Sequence, residues 1–167
     1  MRLSPPLIPA LLAISLASLA GAPSGPREAE AKDCKEPQVP KEAAKVFDGV
    51  TSAFRKADAS AVMSYIAPGD GGSVLLSLDG VPTASYSREH GTEVLAKEYF
   101  AKKTIAALKP GEECTSGDES KLSRVYLLTL KNGEKETTVS LTVSIALRPA
   151  GDKAETYAWV LTSVKER

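Results

Sequence analysis

The sequence predicts an α+β fold, with helices first and mainly antiparallel strands after them, on three observations. Ala43, Phe47, Val50 and Phe54 recur at i, i+4, i+7 and i+11, the single apolar stripe of an amphipathic helix. Val139, Leu141, Val143, Ile145 and Leu147 alternate with Thr138, Ser140, Thr142 and Ser144, the pattern of a sheet buried on one side and wet on the other. Between the apolar runs 124–130 and 137–147 stands Asn132-Gly133, a strong hairpin signal.

The first twenty residues are set apart from all of this. Arg2 precedes an almost wholly apolar run from Leu7 to Ala20, and small residues gather at Ser18, Ala20, Gly21 and Ala22. A positive start, a run too short to span a bilayer comfortably and a small-residue end describe a secretory signal peptide, residues 1–20, cut before Gly21. Leu19-Ala20-Gly21 resembles a lipoprotein box, but Ala22 stands where the lipidated cysteine would be, so no lipid anchor is expected. Residues 21–38 mix Pro, Gly, Glu, Lys and Ala without an apolar period and read as a flexible linker. The folded domain is expected over 39–167, exported to the periplasm or beyond.

Pro40 suits the first position of the opening helix. Asp58 is placed to cap a second, shorter helix through Val62, Tyr65 and Ile66, which Pro68-Gly69 stops. Residues 73–78 form a strand, Asp79-Gly80 a turn, and 81–86 a short second strand confined to an edge by Pro82. Ser87 caps a third helix whose inward face is Leu95, Ala96, Tyr99 and Phe100. A weak strand follows at 104–108, broken at Pro110-Gly111 and including Cys114. The hairpin comes next, and a last strand at 155–165 holds Trp159. Pairing outward from the hairpin turn puts Leu128 and Leu130 on the face of Val139 and Leu141, so the register is self-consistent.

Lys+Arg and Asp+Glu are both 21, and loss of a leader holding Arg2 leaves one more acid than base. No basic excess points to nucleic acid, and none is expected as a partner. Two cysteines, Cys34 and Cys114, meet an oxidising compartment if the chain is exported, where a disulfide persists. An unstrained bridge over that loop would stabilise by about 4 kcal/mol. Two unpaired thiols are the other reading.

The element order, ααββαββββ, resembles the nuclear-transport-factor-2-like superfamily, a cystatin-like roll in which a curved sheet wraps around a long helix. The likeness rests on Phe54-Arg55-Lys56-Ala57-Asp58-Ala59 leading to Ile66, on Tyr86-Ser87-Arg88-Glu89 with Tyr99-Phe100-Ala101-Lys102-Lys103, and on the closing strands through Trp159-Val160-Leu161. It is similar above all to exported bacterial members of unknown function. The resemblance implies a fold and leaves the activity open, because this fold hosts enzymes, pocket binders and adaptors.

Isomerase-like and cyclase-like members of that superfamily use a carboxylate and hydrogen-bond donors inside the roll, where low polarity shifts a carboxyl pKa and strengthens bonds to a developing oxyanion. Tyr65, Tyr86, Tyr99, Tyr126 and Tyr157 offer donors here. The acids have structural roles: Asp58 caps, Asp79 turns, and Glu89, Glu93 and Glu98 share a helix with solvent-facing lysines. No acid falls on the apolar face of the clear strands. His90, the only histidine, sits in the first turn of a helix and reads as a surface residue. The glycines of 69–72 match no phosphate-loop spacing and read as a connector. No catalytic, cofactor-binding or metal-binding residue is therefore assigned.

Tyr126, Tyr157 and Trp159 are the residues expected to line a small apolar pocket, unless they serve simply as core. The expected function is a non-catalytic binding or interaction domain for a small apolar ligand or a protein partner. A cavity enzyme of isomerase or cyclase type is the alternative, and a homodimer through the open sheet face the third reading. A buried acid within reach of a tyrosine hydroxyl, pointing into an enclosed cavity, would discriminate in favour of the enzyme.

Overall fold

The computed structural model describes residues 38–69, 71–112, 115–150 and 156–167. The leader, the linker up to residue 37, Cys34 and Cys114 lie outside the described residues, and the expected bridge with them.

The elements in chain order are α1 (Lys41–Arg55), α2 (Ala59–Met63), β1 (Ser73–Ser77), β2 (Ala84–Ser87) and α3 (Arg88–Val94), which runs on into a π-helical turn, Leu95–Phe100. Then come β3 (Thr104–Pro110), β4 (Ser116–Gly117), β5 (Lys121–Asn132), β6 (Lys135–Pro149) and β7 (Tyr157–Glu166). The expected order holds with one strand more: the stretch after Pro110-Gly111 forms its own two-residue β4 on β5. The sheet runs β2-β1-β7-β6-β5-β3, antiparallel throughout except where β1 lies parallel to β7.

Local chemistry fixes the ends of the helices. Pro40 takes the cap of α1 rather than its first turn, with φ −55° and ψ 145°. Arg55 closes the helix by donating from Nε and Nη2 to the Leu108 carbonyl at 3.0 and 2.8 Å, which ties α1 to β3. Ala57 enters the left-handed region at φ 52° and breaks the chain direction. Asp58 then caps α2, accepting from the Ala61 N–H at 2.9 Å, as its position predicts. Ser87 caps α3 through the His90 N–H at 3.4 Å.

The third helix departs from its expected face at its C-terminal end. The Ala101 N–H reaches the Ala96 carbonyl five residues back at 3.0 Å, so the last turn is wider than an α-turn. Leu95 and Tyr99 are buried, Phe100 is half-buried, and Ala96 turns out to solvent.

In the hairpin, Asn132 pairs with Lys135, so the two central residues are Gly133 and Glu134 rather than Asn132 and Gly133. Gly133 takes φ +62°, the place for glycine at the head of a two-residue turn. This moves the pairing by two residues, which leaves every side chain on its expected face. Leu128 faces Val139, Tyr126 faces Leu141 and Leu122 faces Ile145.

Between β6 and β7 the register slips at Ser144/Ile145, with Thr162 as the extra residue on β7. Its hydroxyl donates to the Ser144 carbonyl at 3.1 Å. The bulge reverses the alternation of β7. Trp159 and Leu161 lie inward before it, opposite Leu147 and Ile145; Val164 and Glu166 lie inward after it, opposite Val143 and Leu141.

The inner face carries the core. Phe47, Val50 and Phe54 from α1 are fully buried, as are Leu122, Leu128, Leu141, Ile145 and Leu161 from the strands. Each such side chain contributes about 1.5–3 kcal/mol through burial. The α1 helix lies against β3, β6 and β7, while α2 packs on α1 and α3.

Candidate functional site

At the end of the sheet where β6 leaves for β7, the register sets Leu147 opposite Trp159 and Pro149 opposite Tyr157. The first turns of α1 pass this end and contribute Val46, with Glu42 and Lys45 beside it. Together these residues and Ala158 line a groove of about 510 Å³. Its floor is apolar, and among the described residues its rim holds one charge of each sign. Trp159 is half-buried against the core, whereas Tyr157 is 59% exposed, the more exposed of the two large hydrophobic side chains that face solvent among the described residues.

Two of the three expected pocket residues therefore meet, and the third does not. Tyr126 lies on the inner face of β5 opposite Leu141, six residues along β6 from Leu147. At strand spacing that is about 20 Å from the Trp159 row. It is 3% exposed, and its hydroxyl has no hydrogen-bond partner among the described residues. Beside it is Arg124, also on the inward parity of β5. The Arg124 guanidinium carbon stands 5.2 Å from the Phe47 ring centroid, and its Nε donates to Thr115 Oγ1 at 2.9 Å. The alternation of β5 carries the signal for this inward arginine among Leu122, Tyr126 and Leu128, which a search by residue type passes over.

An acid does occupy the inner face, contrary to expectation. Glu166, one residue past the expected end of the last strand, is inward because of the Thr162 bulge, and its side chain is 6% exposed. It accepts from Tyr99 Oη at 2.8 Å, from the Asp79 N–H at 3.3 Å and from Lys103 Nζ at 3.5 Å. Lys103 also donates to Asp79 Oδ2 at 2.8 Å and sits 4.8 Å from the Tyr99 ring centroid. The carboxylate thus meets a tyrosine hydroxyl, one half of the arrangement an isomerase-like site requires. Three donors already engage it, and the rings of Phe54 and Phe100 pack edge-on against each other and against Tyr99.

The remaining polar residues take the places expected of them. Glu93 pairs with Lys97 at 2.7 Å and Glu98 with Lys102 on the solvent face of the helix. His90 is exposed, edge-on to Tyr86 at 5.2 Å.

Burial, and then the bond to Glu166, pushes the Tyr99 hydroxyl far above its ordinary value of 10.0; burial raises Tyr126 as well, against the opposing charge of Arg124. An acid raised in this way keeps its proton in the fold while the unfolded chain loses it. The stability tied to these two hydroxyls is complete below pH 10.0 and is lost as the pH rises through the folded values. Tyr99→Phe should accordingly show the same phenolate absorbance as the parent at about pH 11 while both remain folded. A lower absorbance in the variant would mean that Tyr99 titrates as an exposed phenol.

No protein-family model matches the chain, and no curated protein matches it. Solved structures do. A putative calcium/calmodulin-dependent protein kinase type II association domain from Thiobacillus denitrificans is 15% identical, with a TM-score of 0.53 over 78% of this chain and 97% of the other. A ketosteroid isomerase-like protein from Erwinia carotovora atroseptica is 18% identical, with a TM-score of 0.52 over 74% of this chain and 90% of the other. At such identities the likeness is one of fold, and it agrees with the helices, the curved mixed sheet and their order. The chain has the nuclear-transport-factor-2-like fold.

Proposed function

We propose that the chain is an exported, non-catalytic binding domain whose ligand, a small apolar molecule, seats in the groove of Tyr157 and Trp159. The observation that carries this reading is the groove itself. Its volume of about 510 Å³ falls within the range of small-molecule sites. Its apolar floor includes a tyrosine ring left mostly in water, where an apolar ligand would remove that surface from solvent. Glu42 and Lys45 at the rim offer orienting polar contacts. The leader pattern and the cysteine pair in the sequence support a location outside the cytoplasm.

The isomerase or cyclase reading draws on Glu166 and Tyr99. Against it, Glu166 is already engaged by Tyr99, Lys103 and the Asp79 amide. A carboxylate so occupied would have to give up a donor before taking a substrate proton.

Trp159 is the only tryptophan, so its fluorescence reports on this groove alone. Protein purified from its host's periplasm should show a bound small-molecule mass in native mass spectrometry. The stripped protein should answer Nile red with quenched Trp159 emission, and Tyr157→Ala should weaken that response about tenfold. Glu166→Gln should leave it unchanged. Absence of both a carried mass and a Trp159 response would overturn the reading.

A further inference from the structure

The opposite face of the sheet carries a second groove, of about 440 Å³, built from quite different residues. Register sets Ser123, Ser144 and Ser163 in one row across β5, β6 and β7. The Ser123 and Ser144 hydroxyls are 2.8 Å apart, and Ser144 and Ser163 are each only 8% exposed, so this floor is recessed. Thr142 adds a fourth hydroxyl.

Four cations border that floor: Lys121, Arg148, Lys165 and Arg167. Among the described residues no acid lines it, in a chain that has as many acids as bases. Among the described residues none of the four enters an ion pair. The nearby Asp118 carboxylate is engaged by the Ser120 hydroxyl and the Ser120 and Lys121 amides. The Thr162 bulge makes this arrangement, since by turning Glu166 inward it sends Lys165 outward.

The cations fall into two pairs. Lys165 stands in the Thr142 row, and Arg167 bonds Ser140 through its backbone; Lys121 stands in the Ala146 row, with Arg148 one row beyond. Alternate residues along a strand are about 7 Å apart, so the two pairs bracket the serine row from opposite ends. Guanidinium forks and ammonium groups recognise tetrahedral oxyanions, and hydroxyls both donate and accept. Among the described residues the groove has no aromatic lining on which a nucleobase would stack.

We infer that this groove binds a small, elongated polyanion bearing phosphate or sulfate groups near both its ends. The inference is independent of the Trp159 groove, which lies on the other face.

Isothermal titration calorimetry of the full mature chain at low salt tests it with tripolyphosphate, with a disulfated heparin-derived disaccharide and with inorganic phosphate. Tripolyphosphate or the disaccharide should bind at least tenfold more tightly than phosphate, and which of them does so tells phosphate from sulfate recognition. Arg148→Gln combined with Lys165→Gln should weaken binding at least tenfold. Lys97→Gln combined with Lys102→Gln, on the exposed helix face, should not. Amide shifts in the parent protein should centre on Ser123, Ser144 and Ser163, a readout that needs no variant to fold. No binding of any of the three anions, equal losses in both variant pairs, or shifts centred elsewhere would each overturn the proposal.

Discussion

Ile145→Asp is expected to lower the unfolding free energy by more than about 4 kcal/mol, the range reached when a charge is buried without a partner. Ile145 is fully buried, and its cross-strand neighbours are Leu122 and Leu161, neither of which can receive a carboxylate. Val143 is equally buried but is a poorer test, because Arg124 stands opposite it and would pair with an aspartate there. Thr142→Asp supplies the contrast. Thr142 lies on the outer face opposite Lys165, where a carboxylate stays hydrated and gains a cation, so a change within about 0.5 kcal/mol is expected. Urea unfolding followed by circular dichroism measures both. Equal losses at the two positions would show that the faces of β6 are wrongly assigned.

Strict alternation makes β6 readable from its residues alone. The same rule fails on β7, for one residue. Extending the odd positions Trp159 and Leu161 predicts Ser163 and Lys165 inside. The extra residue at Thr162 puts Val164 and Glu166 there instead. Nothing local in Leu161-Thr162-Ser163 marks a bulge, so the buried acid and the outward lysine are both hidden by it. The π-helical turn has a similar effect on a smaller scale. An α-helical period places Ala96 beside Tyr99 and Phe100, whereas the wider turn releases it to solvent.

The candidate groove is legible in part. Tyr157 and Trp159 share a parity and neighbour each other on one face of one strand, so strand periodicity alone groups them. Tyr126 joins them by residue type only, and the twelve-residue length of β5 carries it far from the Trp159 row. Composition conceals the second groove entirely. A balance of 21 bases and 21 acids says nothing about how they are distributed, and the structure gathers four bases on one face while Glu166 is drawn inward.

Phe54→Ala is expected to cost about 3–5 kcal/mol, and its outcome bears on function as well as stability. Phe54 is fully buried near the end of α1. Its ring stands edge-on to Phe100 at 5.3 Å and to Tyr99 at 6.3 Å, the two residues that the π-helical turn brings to it. Truncation removes the transfer energy of the ring, both aromatic contacts and the packing that holds Tyr99 against Glu166. Phe54→Leu, which keeps much of the volume, should cost far less, so the difference between the two variants isolates the void. A full loss in Phe54→Ala means that the interior is tightly packed and leaves a substrate no room beside Glu166. A loss below about 1 kcal/mol would instead mean that the roll already holds slack space at that point. Glu166 and the Tyr99 hydroxyl would then border an internal cavity, and the isomerase or cyclase reading would displace the binding one.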